Sequence, residues 1–156
     1  MICVVGKVAV GKSTYARQLC HDLPAVLFST DDLMRGIFGD DSGGTTNWGR
    51  YLNQVNNLLL NQAVEAHSCG INVVLESGFW TAAHRRYVRE FFTAHAIRAE
   101  WHYLDIQDEE WQRRIASRDR NYGEGQYFHV GQSGIDSCLR YWEPPQPDEV
   151  DVRITS

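Results

Sequence analysis

The chain has 156 residues, of which 43% are hydrophobic and 22% charged, as in an ordinary globular protein of one domain. Its formal net charge of -5 argues against non-specific binding to nucleic acid, which depends on a basic surface. No apolar run approaches membrane-spanning length, and the sequence enters a predicted strand at once, so we expect neither a membrane partner nor a signal peptide. The four cysteines are far apart, which favours reduced thiols in a cytoplasmic protein.

A glycine-rich motif follows the first predicted strand. Residues 1–5 are apolar and rich in β-branched side chains, which predicts a buried strand. From residue 12 to residue 22 the apolar positions recur at helical spacing. Between them, the pattern G-x-x-x-x-G-K-[ST] is matched without a mismatch by Gly6-Lys7-Val8-Ala9-Val10-Gly11-Lys12-Ser13-Thr14. Strand, loop and helix are the context in which this motif binds phosphate. The alternative is a strand-to-helix turn that binds nothing.

The chemistry of the motif predicts an ATP site with Mg²⁺ as second cofactor. Gly6 and Gly11 permit backbone torsions that turn consecutive N–H groups toward a phosphate, and the following helix adds the positive end of its dipole. Lys12 would reach the β- and γ-phosphates and act in catalysis, while Ser13 would offer its hydroxyl to Mg²⁺. The predicted nucleotide-binding residues are Gly6, Val8, Ala9, Val10, Gly11, Lys12, Ser13 and Thr14.

Two acids follow the second predicted strand, at residues 25–28. Ser29 is placed to cap the next helix, and Asp32 lies three residues further on, near the positive end of that helix. Capping accounts for Asp32 and leaves Asp31 unexplained. Because Asp31 lies at the carboxyl end of a strand, where open α/β sheets bind ligands, we assign it a catalytic role. The alternative is a second capping acid.

An acid also follows the apolar part of the third predicted strand, at residues 71–78. Glu76 stands where a Walker B residue holds Mg²⁺ directly or through water. The alternative is a glutamate that only pairs with Lys12 or with a neighbouring arginine.

Arginines accumulate toward the end of a helix that begins at Asp108. Arg114 and Arg118 are four residues apart and share a helix face, and a glycine-punctuated loop follows them. This arrangement suits a lid, at about residues 118–131, that closes arginines over a transferring phosphate. The alternative is a solvated face balanced by the acids at 108–110.

The elements alternate between strand and helix along the chain. Further strands are predicted at residues 101–104 and 150–155, with helices between the strands. Alternation of this kind predicts a single α/β domain with a parallel sheet and right-handed crossovers.

Together these motifs give the chain a resemblance to the small P-loop kinases of the AAA_33-type ATP-binding group, relatives of polynucleotide 5′-kinase, chloramphenicol phosphotransferase and gluconate kinase. The resemblance covers nearly the whole chain and rests on residues 6–14, 29–32, 76–80, 114–120 and 142–145. It implies the three-layer α/β/α fold of P-loop NTPases, with five parallel strands in the order 2-3-1-4-5 and a lid between the fourth and fifth. It also implies that Asp31 is the general base toward an acceptor hydroxyl, and that Arg114 and Arg118 bind the ATP phosphates.

The sequence departs from the family pattern in three places. Val8, Ala9 and Val10 replace the usual small, glycine-rich interior of the loop, which we expect to stiffen it. Glu76 stands where Asp is commoner, and the sequence ends directly after the fifth predicted strand, where the family has a final helix.

We therefore predict a kinase that moves the γ-phosphoryl group of ATP to a hydroxyl of a small molecule or nucleotide. One alternative is a switch module that binds and hydrolyses ATP without an acceptor, but such a switch needs no acid beside the acceptor. Another is a polynucleotide 5′-hydroxyl kinase, against which the acidic net charge counts.

Overall fold

A five-stranded parallel sheet organises the computed structural model, which describes residues 1–39, 47–120 and 132–155, with backbone alone at residues 118–120 and 132–133. The strand order is β2-β3-β1-β4-β5, and every neighbouring pair is parallel, so the predicted order is confirmed. The strands are β1 (Ile2–Val5), β2 (Ala25–Ser29), β3 (Asn72–Glu76), β4 (Glu100–Asp105) and β5 (Val152–Thr155).

Helices connect the strands and cover both faces of the sheet. They are α1 (Lys12–Asp22), α2 (Thr30–Phe38), α3 (Trp48–Ser68), α4 (Ala82–Ala94), α5 (Asp108–Arg120) and α6 (Gln132–Tyr141). Within the described ranges, no helix combines the length and the apolar character needed to cross a membrane. The predicted lid at 118–131 lies outside the described residues, apart from the helical backbone of 118–120.

Alternation of side chains along the central strand produces two buried cores. Cys3 faces one core with Leu75, Phe92 and Trp101, whereas Val4 faces the other with a separate set of residues. That second set includes Val10, Ala16, Leu104, Trp111 and Ile135. Buried apolar layers on both faces make the three-layer α/β/α arrangement that was predicted.

The predicted fifth strand begins two residues late. A 3-10 helix at Pro147–Glu149 occupies the approach to β5, and Val150 donates its N–H to the Pro147 carbonyl at 3.4 Å. The Gln146 N–H donates to the Glu149 carboxylate at 2.8 Å, which fixes this turn. These local bonds hold residues 147–150 out of the sheet, although the alternating pattern begins at Val150.

The second helix is capped by Ser29 as its sequence predicts, but the Asp32 carboxylate accepts from Arg17 and Arg35 and does not complete the predicted capping box. Ser29 is the N-cap of α2, and its hydroxyl accepts a hydrogen bond from the Asp32 N–H at 3.3 Å. In the sheet, Ser29 is paired with Glu76, which is also paired with Val4. The ends of β1, β2 and β3 therefore bring the phosphate-loop motif, the two acids of α2 and Glu76 to one edge.

Candidate active site

The phosphate loop at residues 6–11 connects β1 to α1 and is tightly packed. A Cβ atom on Gly6 would lie 2.8 Å from Val10 Cγ2 and 3.1 Å from the Leu104 carbonyl oxygen, so only glycine fits there. Gly11 has φ +100° and Ala9 has φ +61°, both in the left-handed region. Val8 and Val10 are buried in the core shared with α5 and α6. The loop interior that departs from the family pattern is therefore anchored by apolar packing.

Lys12 begins α1 and turns back over the loop. Its side chain is buried, and Nζ donates a hydrogen bond to the Lys7 carbonyl at 2.8 Å. The next two residues, Ser13 and Thr14, are half-buried and exposed respectively. The structure thus places a buried positive charge at the position where the motif predicts a phosphate ligand.

Glu76 is buried at the end of β3, with 1% of its surface exposed. It accepts a hydrogen bond from Ser29 Oγ at 2.7 Å, and no ion pair joins it to any side chain in the described ranges. Burial raises the pKa of Glu76; the positive charge of Lys12 opposes this rise and the negative charge of Asp31 adds to it. Lys12, Asp31 and Glu76 therefore share one electrostatic environment, although Glu76 and Lys12 make no direct ion pair.

The two acids of α2 have different surroundings. Asp32 accepts hydrogen bonds from Arg17 at 3.0 Å and from Arg35 at 3.3 Å, and its own N–H reaches the Ser29 cap. Asp31 is exposed, and with the residues that the structure describes its carboxylate forms no hydrogen bond or ion pair. Helix capping and ion pairing thus occupy Asp32 and leave the lone pairs of Asp31 available.

Arg114 reaches the phosphate loop from α5. Its Nε donates to Glu110 at 2.6 Å, and its Nη1 donates to the Val10 carbonyl. A Cβ atom on Gly11 would lie 3.2 Å from the same Nη1 atom. The structure therefore brings Arg114 to the predicted nucleotide site, whereas the side chain of Arg118 lies outside the described residues.

Other contacts at this edge were not predicted from the sequence. The Trp111 indole N–H donates to the Val8 carbonyl at 2.7 Å, and Lys7 pairs with Asp108 at 3.0 Å. On the other side, Thr30 Oγ1 donates to Asn56 Oδ1 at 2.8 Å. Helical spacing identifies Trp111 as inward-facing, but no sequence signal names its hydrogen-bond partner. Asn56 lies in α3, where the spacing of apolar residues identifies the buried face and gives no information about the contacts of polar residues.

The oxygen atoms at this edge suit magnesium in their chemistry. Mg²⁺ is commonly held by one or two protein oxygens together with substrate phosphates and water. The Ser13 hydroxyl and the Glu76 carboxylate are oxygen ligands of that kind. Within the described residues, no three His, Cys, Asp or Glu side chains group as a metal site. The available ligands therefore fit a metal that depends on nucleotide phosphates for much of its coordination.

A cleft of about 440 Å³ lies away from this edge, beside the start of β4. Arg89, Arg98, Trp101 and Asp151 are among its lining residues. Its charges are largely paired within the protein: Arg98 contacts Asp151 at 3.2 Å, and Asp151 also accepts the Trp101 N–H at 2.8 Å. The motif residues take no part in this cleft, so we locate the candidate site at the phosphate loop.

Residues 1–145 match the model of the AAA_33 family, described as an AAA domain. The chain belongs to the AAA_33 family. The match covers the phosphate loop, both acids of α2, Glu76 and the arginines of α5, so the family and the geometry concern the same residues. No curated protein sequence matches the chain.

Solved structures share the fold of this AAA_33 domain along nearly its whole length. A sugar kinase from Janibacter sp. HTCC2649 matches with a TM-score of 0.69 and 18% identity, covering 99% of this chain and 83% of its own. A gluconokinase from Sinorhizobium meliloti 1021 matches with a TM-score of 0.65 and 18% identity, and the match covers 99% of this chain and 81% of the gluconokinase. The Mycobacterium tuberculosis APS kinase CysC, in complex with AMPPNP and APS, matches with a TM-score of 0.65 and 18% identity. This match covers 99% of this chain and 86% of the APS kinase. At these identities, the likeness establishes a shared fold.

Proposed function

We propose that this AAA_33 domain is an ATP-dependent kinase that transfers the γ-phosphoryl group to a hydroxyl of a small molecule or nucleotide. The observation that carries the proposal is Asp31, an exposed carboxylate without a partner among the described residues, at the sheet edge that holds the phosphate loop. A kinase needs a proton acceptor beside the acceptor hydroxyl, whereas a switch that only hydrolyses ATP does not.

The positive charges at the loop fit phosphoryl transfer. Lys12 is buried over the loop and Arg114 contacts the Val10 carbonyl, so both can stabilise negative charge on the transferring group. We assign the same role to Arg118. The loop residues Gly6, Val8, Ala9, Val10, Gly11, Ser13 and Thr14 complete the proposed nucleotide site.

Ser13 and Glu76 are the residues that would hold Mg²⁺. When bound, the ion bridges phosphate oxygens and neutralises part of their charge. Glu76 is fixed by its hydrogen bond from Ser29, and the Lys12 charge favours its ionised form against the effect of burial. Ser13 offers a hydroxyl oxygen at the start of α1 and Glu76 a carboxylate held by Ser29, which supports this assignment.

Asp31 would accept the proton of the acceptor hydroxyl as oxygen attacks the γ-phosphorus. The ion pairs of Asp32 with Arg17 and Arg35 keep these arginines from engaging Asp31 instead.

The names of the sugar kinase, gluconokinase and APS kinase support the reaction class, and one of these structures holds AMPPNP together with APS. The free cysteines support a reducing, cytoplasmic location.

An acceptor screen tests this function directly. Mg·ATP is supplied with nucleosides, sugars, aminoglycosides and 5′-hydroxyl oligonucleotides in turn, and ADP release is measured for the wild type and for Lys12→Ala. We expect release that depends on one acceptor class and is lost in the variant. Slow release that no acceptor alters would overturn the kinase assignment and favour a hydrolytic switch.

A further inference from the structure

Side chains from beyond the motif hold the interior of the phosphate loop. Trp111 of α5 donates its indole N–H to the Val8 carbonyl at 2.7 Å, and Arg114 donates to the Val10 carbonyl. Burial raises the pKa of the Cys138 thiol, while a hydrogen bond with the Val8 backbone opposes the rise, so α6 also contacts the loop. Val8 and Cys138 lie in the same buried cluster, so the loop packs against α6 while its Val8 carbonyl is bonded to α5.

The same stretch contains an unfavourable backbone conformation. Ala9 has φ +61°, a left-handed value that glycine adopts readily and that a residue with a Cβ atom adopts at a cost. Loops with glycine at this point need no external support for that torsion. Here the conformation must be maintained by the neighbours of Ala9, and the Val8–Ala9 peptide is the unit that Trp111 holds.

Peptide geometry links that hydrogen bond to ligand binding. In a planar trans peptide, the carbonyl of one residue and the N–H of the next point in opposite directions. When Trp111 fixes the Val8 carbonyl, it therefore also fixes the direction of the Ala9 N–H. Nothing in the described part of the chain accepts a hydrogen bond from this N–H. It is one of the consecutive loop donors from which a phosphate cradle is built.

We propose that Trp111 is a positioning residue of the phosphate loop, which holds the Val8 carbonyl so that the Ala9 N–H is preset for a nucleotide phosphate. The inference rests on the proposed function, because it requires phosphate to bind at this loop.

The surroundings of Trp111 favour this role over simple packing. The side chain is 4% exposed, Lys7 Nζ lies 4.9 Å from the ring centroid, and Lys7 also pairs with Asp108 at the start of α5. The ring is therefore held in one orientation. An apolar side chain such as leucine would fill the same core without a donor. The indole ring fills the core, whereas the indole N–H has one function in this structure, which is to donate to the Val8 carbonyl.

The test compares two substitutions that each remove one buried indole. Trp111→Phe deletes the donor to Val8 and keeps an aromatic ring. Trp101→Phe is the matched control, because Trp101 is 1% exposed in the other core and its Nε1 has no partner among the described residues. Calorimetry then measures the affinity of wild type and variants for Mg·ATP and for tripolyphosphate, which retains only the phosphate chain.

We expect Trp111→Phe to lower the affinity for both ligands by about 3- to 10-fold, the loss expected for one hydrogen bond. Trp101→Phe should leave both affinities unchanged. Ala9→Gly in the Trp111→Phe background should restore part of the loss, since glycine accepts the left-handed torsion. Equal affinities in wild type and Trp111→Phe, or equal losses in both tryptophan variants, would overturn the inference. A wild type that binds neither ligand would instead defeat the proposed function on which it rests.

A second measurement applies if Trp111→Phe does not fold. With ¹⁵N-labelled tryptophan, the hydrogen exchange of the Trp111 indole N–H is followed in the wild type, with and without Mg·ATP. Slow exchange under both conditions is expected if the N–H stays bonded to Val8 when phosphate binds. Exchange as fast as that of an exposed indole in the presence of Mg·ATP contradicts the inference.

Discussion

Two adjacent carboxylates with different surroundings give the most specific prediction at the residue scale. Asp31→Asn keeps the side-chain shape and removes the proton acceptor, so transfer should fall by roughly 10²–10⁴-fold while ATP affinity is retained. Asp32→Asn weakens partly exposed pairs with Arg17 and Arg35 and should cost about 1 kcal/mol or less. Turnover and melting temperature are measured for both variants once an acceptor is known.

Each variant is the control for the other, because the substitutions are chemically identical and one residue apart. Normal turnover in Asp31→Asn, with an inactive Asp32→Asn of unchanged stability, would show that the roles are reversed.

Glu76 makes stability depend on pH. Burial raises the pKa of Glu76 in the folded state above 4.5, so the Glu76 carboxylate binds a proton more strongly in the folded state than in the unfolded state. The resulting stabilisation is complete below the unfolded pKa and is lost as the pH rises through the folded pKa. Glu76→Gln, which cannot ionise, should therefore gain stability relative to wild type as the pH rises from the unfolded pKa through the raised folded pKa, measured by urea unfolding. The same change should weaken Mg·ATP binding if Glu76 holds the metal.

Glu110→Gln is a control of opposite sign. A hydrogen bond from Arg114 lowers the pKa of Glu110, so its contribution is present above the unfolded pKa and is lost as the pH falls. This variant should lose stability relative to wild type as the pH rises toward the unfolded pKa of Glu110, and the loss should stay constant at higher pH. A stability difference between Glu76→Gln and wild type that does not change with pH would contradict the pKa shift assigned to Glu76.

At the scale of elements, one buried guanidinium joins three parts of the chain. Arg85, in the first turn of α4, is fully buried and contacts the Glu149 carboxylate through Nε at 2.9 Å and Nη2 at 3.0 Å. Its Nη1 donates to the carbonyls of Phe79 at 3.0 Å and Glu143 at 2.8 Å. The loop after β3, the segment after α6 and the turn before β5 are thereby fixed to α4.

Removing Arg85 should be far more damaging than removing its neighbour. Arg85→Met leaves the Glu149 carboxylate and two carbonyls without their partner, and breaking a buried pair in this way costs about 3–5 kcal/mol. Arg86→Met, at an exposed position, should change the free energy of unfolding by about 0.5 kcal/mol or less. Chemical denaturation of both variants measures the difference. Similar small losses in both would mean that the Arg85 contacts contribute little to stability.

The elements were largely predictable from the sequence, but the contacts between them were not. Periodicity located the strands and helices, and the motif placed Lys12 and Ser13 at the start of the helix that follows β1. Glu76 was identifiable because an acid ended an apolar run. Nothing in residues 82–94 distinguishes the buried Arg85 from the exposed Arg86, since both are arginines on one helix. Trp111 and Val8 are 103 residues apart, and pairing over such a distance leaves no local pattern.

At the scale of the whole molecule, nucleotide binding should raise stability by mass action. A ligand that binds only the folded state, at a hundred times its Kd, adds about 2.7 kcal/mol. Mg·ATP should therefore raise the melting temperature of the wild type. Lys12→Ala, which lacks the buried ammonium at the loop, should show a smaller shift or none. If neither ATP nor another nucleoside triphosphate moves the wild-type melting temperature, the phosphate loop does not bind nucleotide.

The strand order also determines when the phosphate loop can form during synthesis. β1 is the first strand to be made, yet it lies between β3 and β4, with Ile2 opposite Val74 and Glu100. A nascent chain that ends before residue 76 lacks β4 and part of β3, the two strands that pair with β1. A chain that ends before α5 lacks Trp111 and Arg114, which contact the phosphate loop. Because domains emerge from the ribosome N-terminus first, the motif nearest the start of this chain is among the last parts to acquire its working shape. During that interval the apolar residues of β1 are open to chaperones and to aggregation.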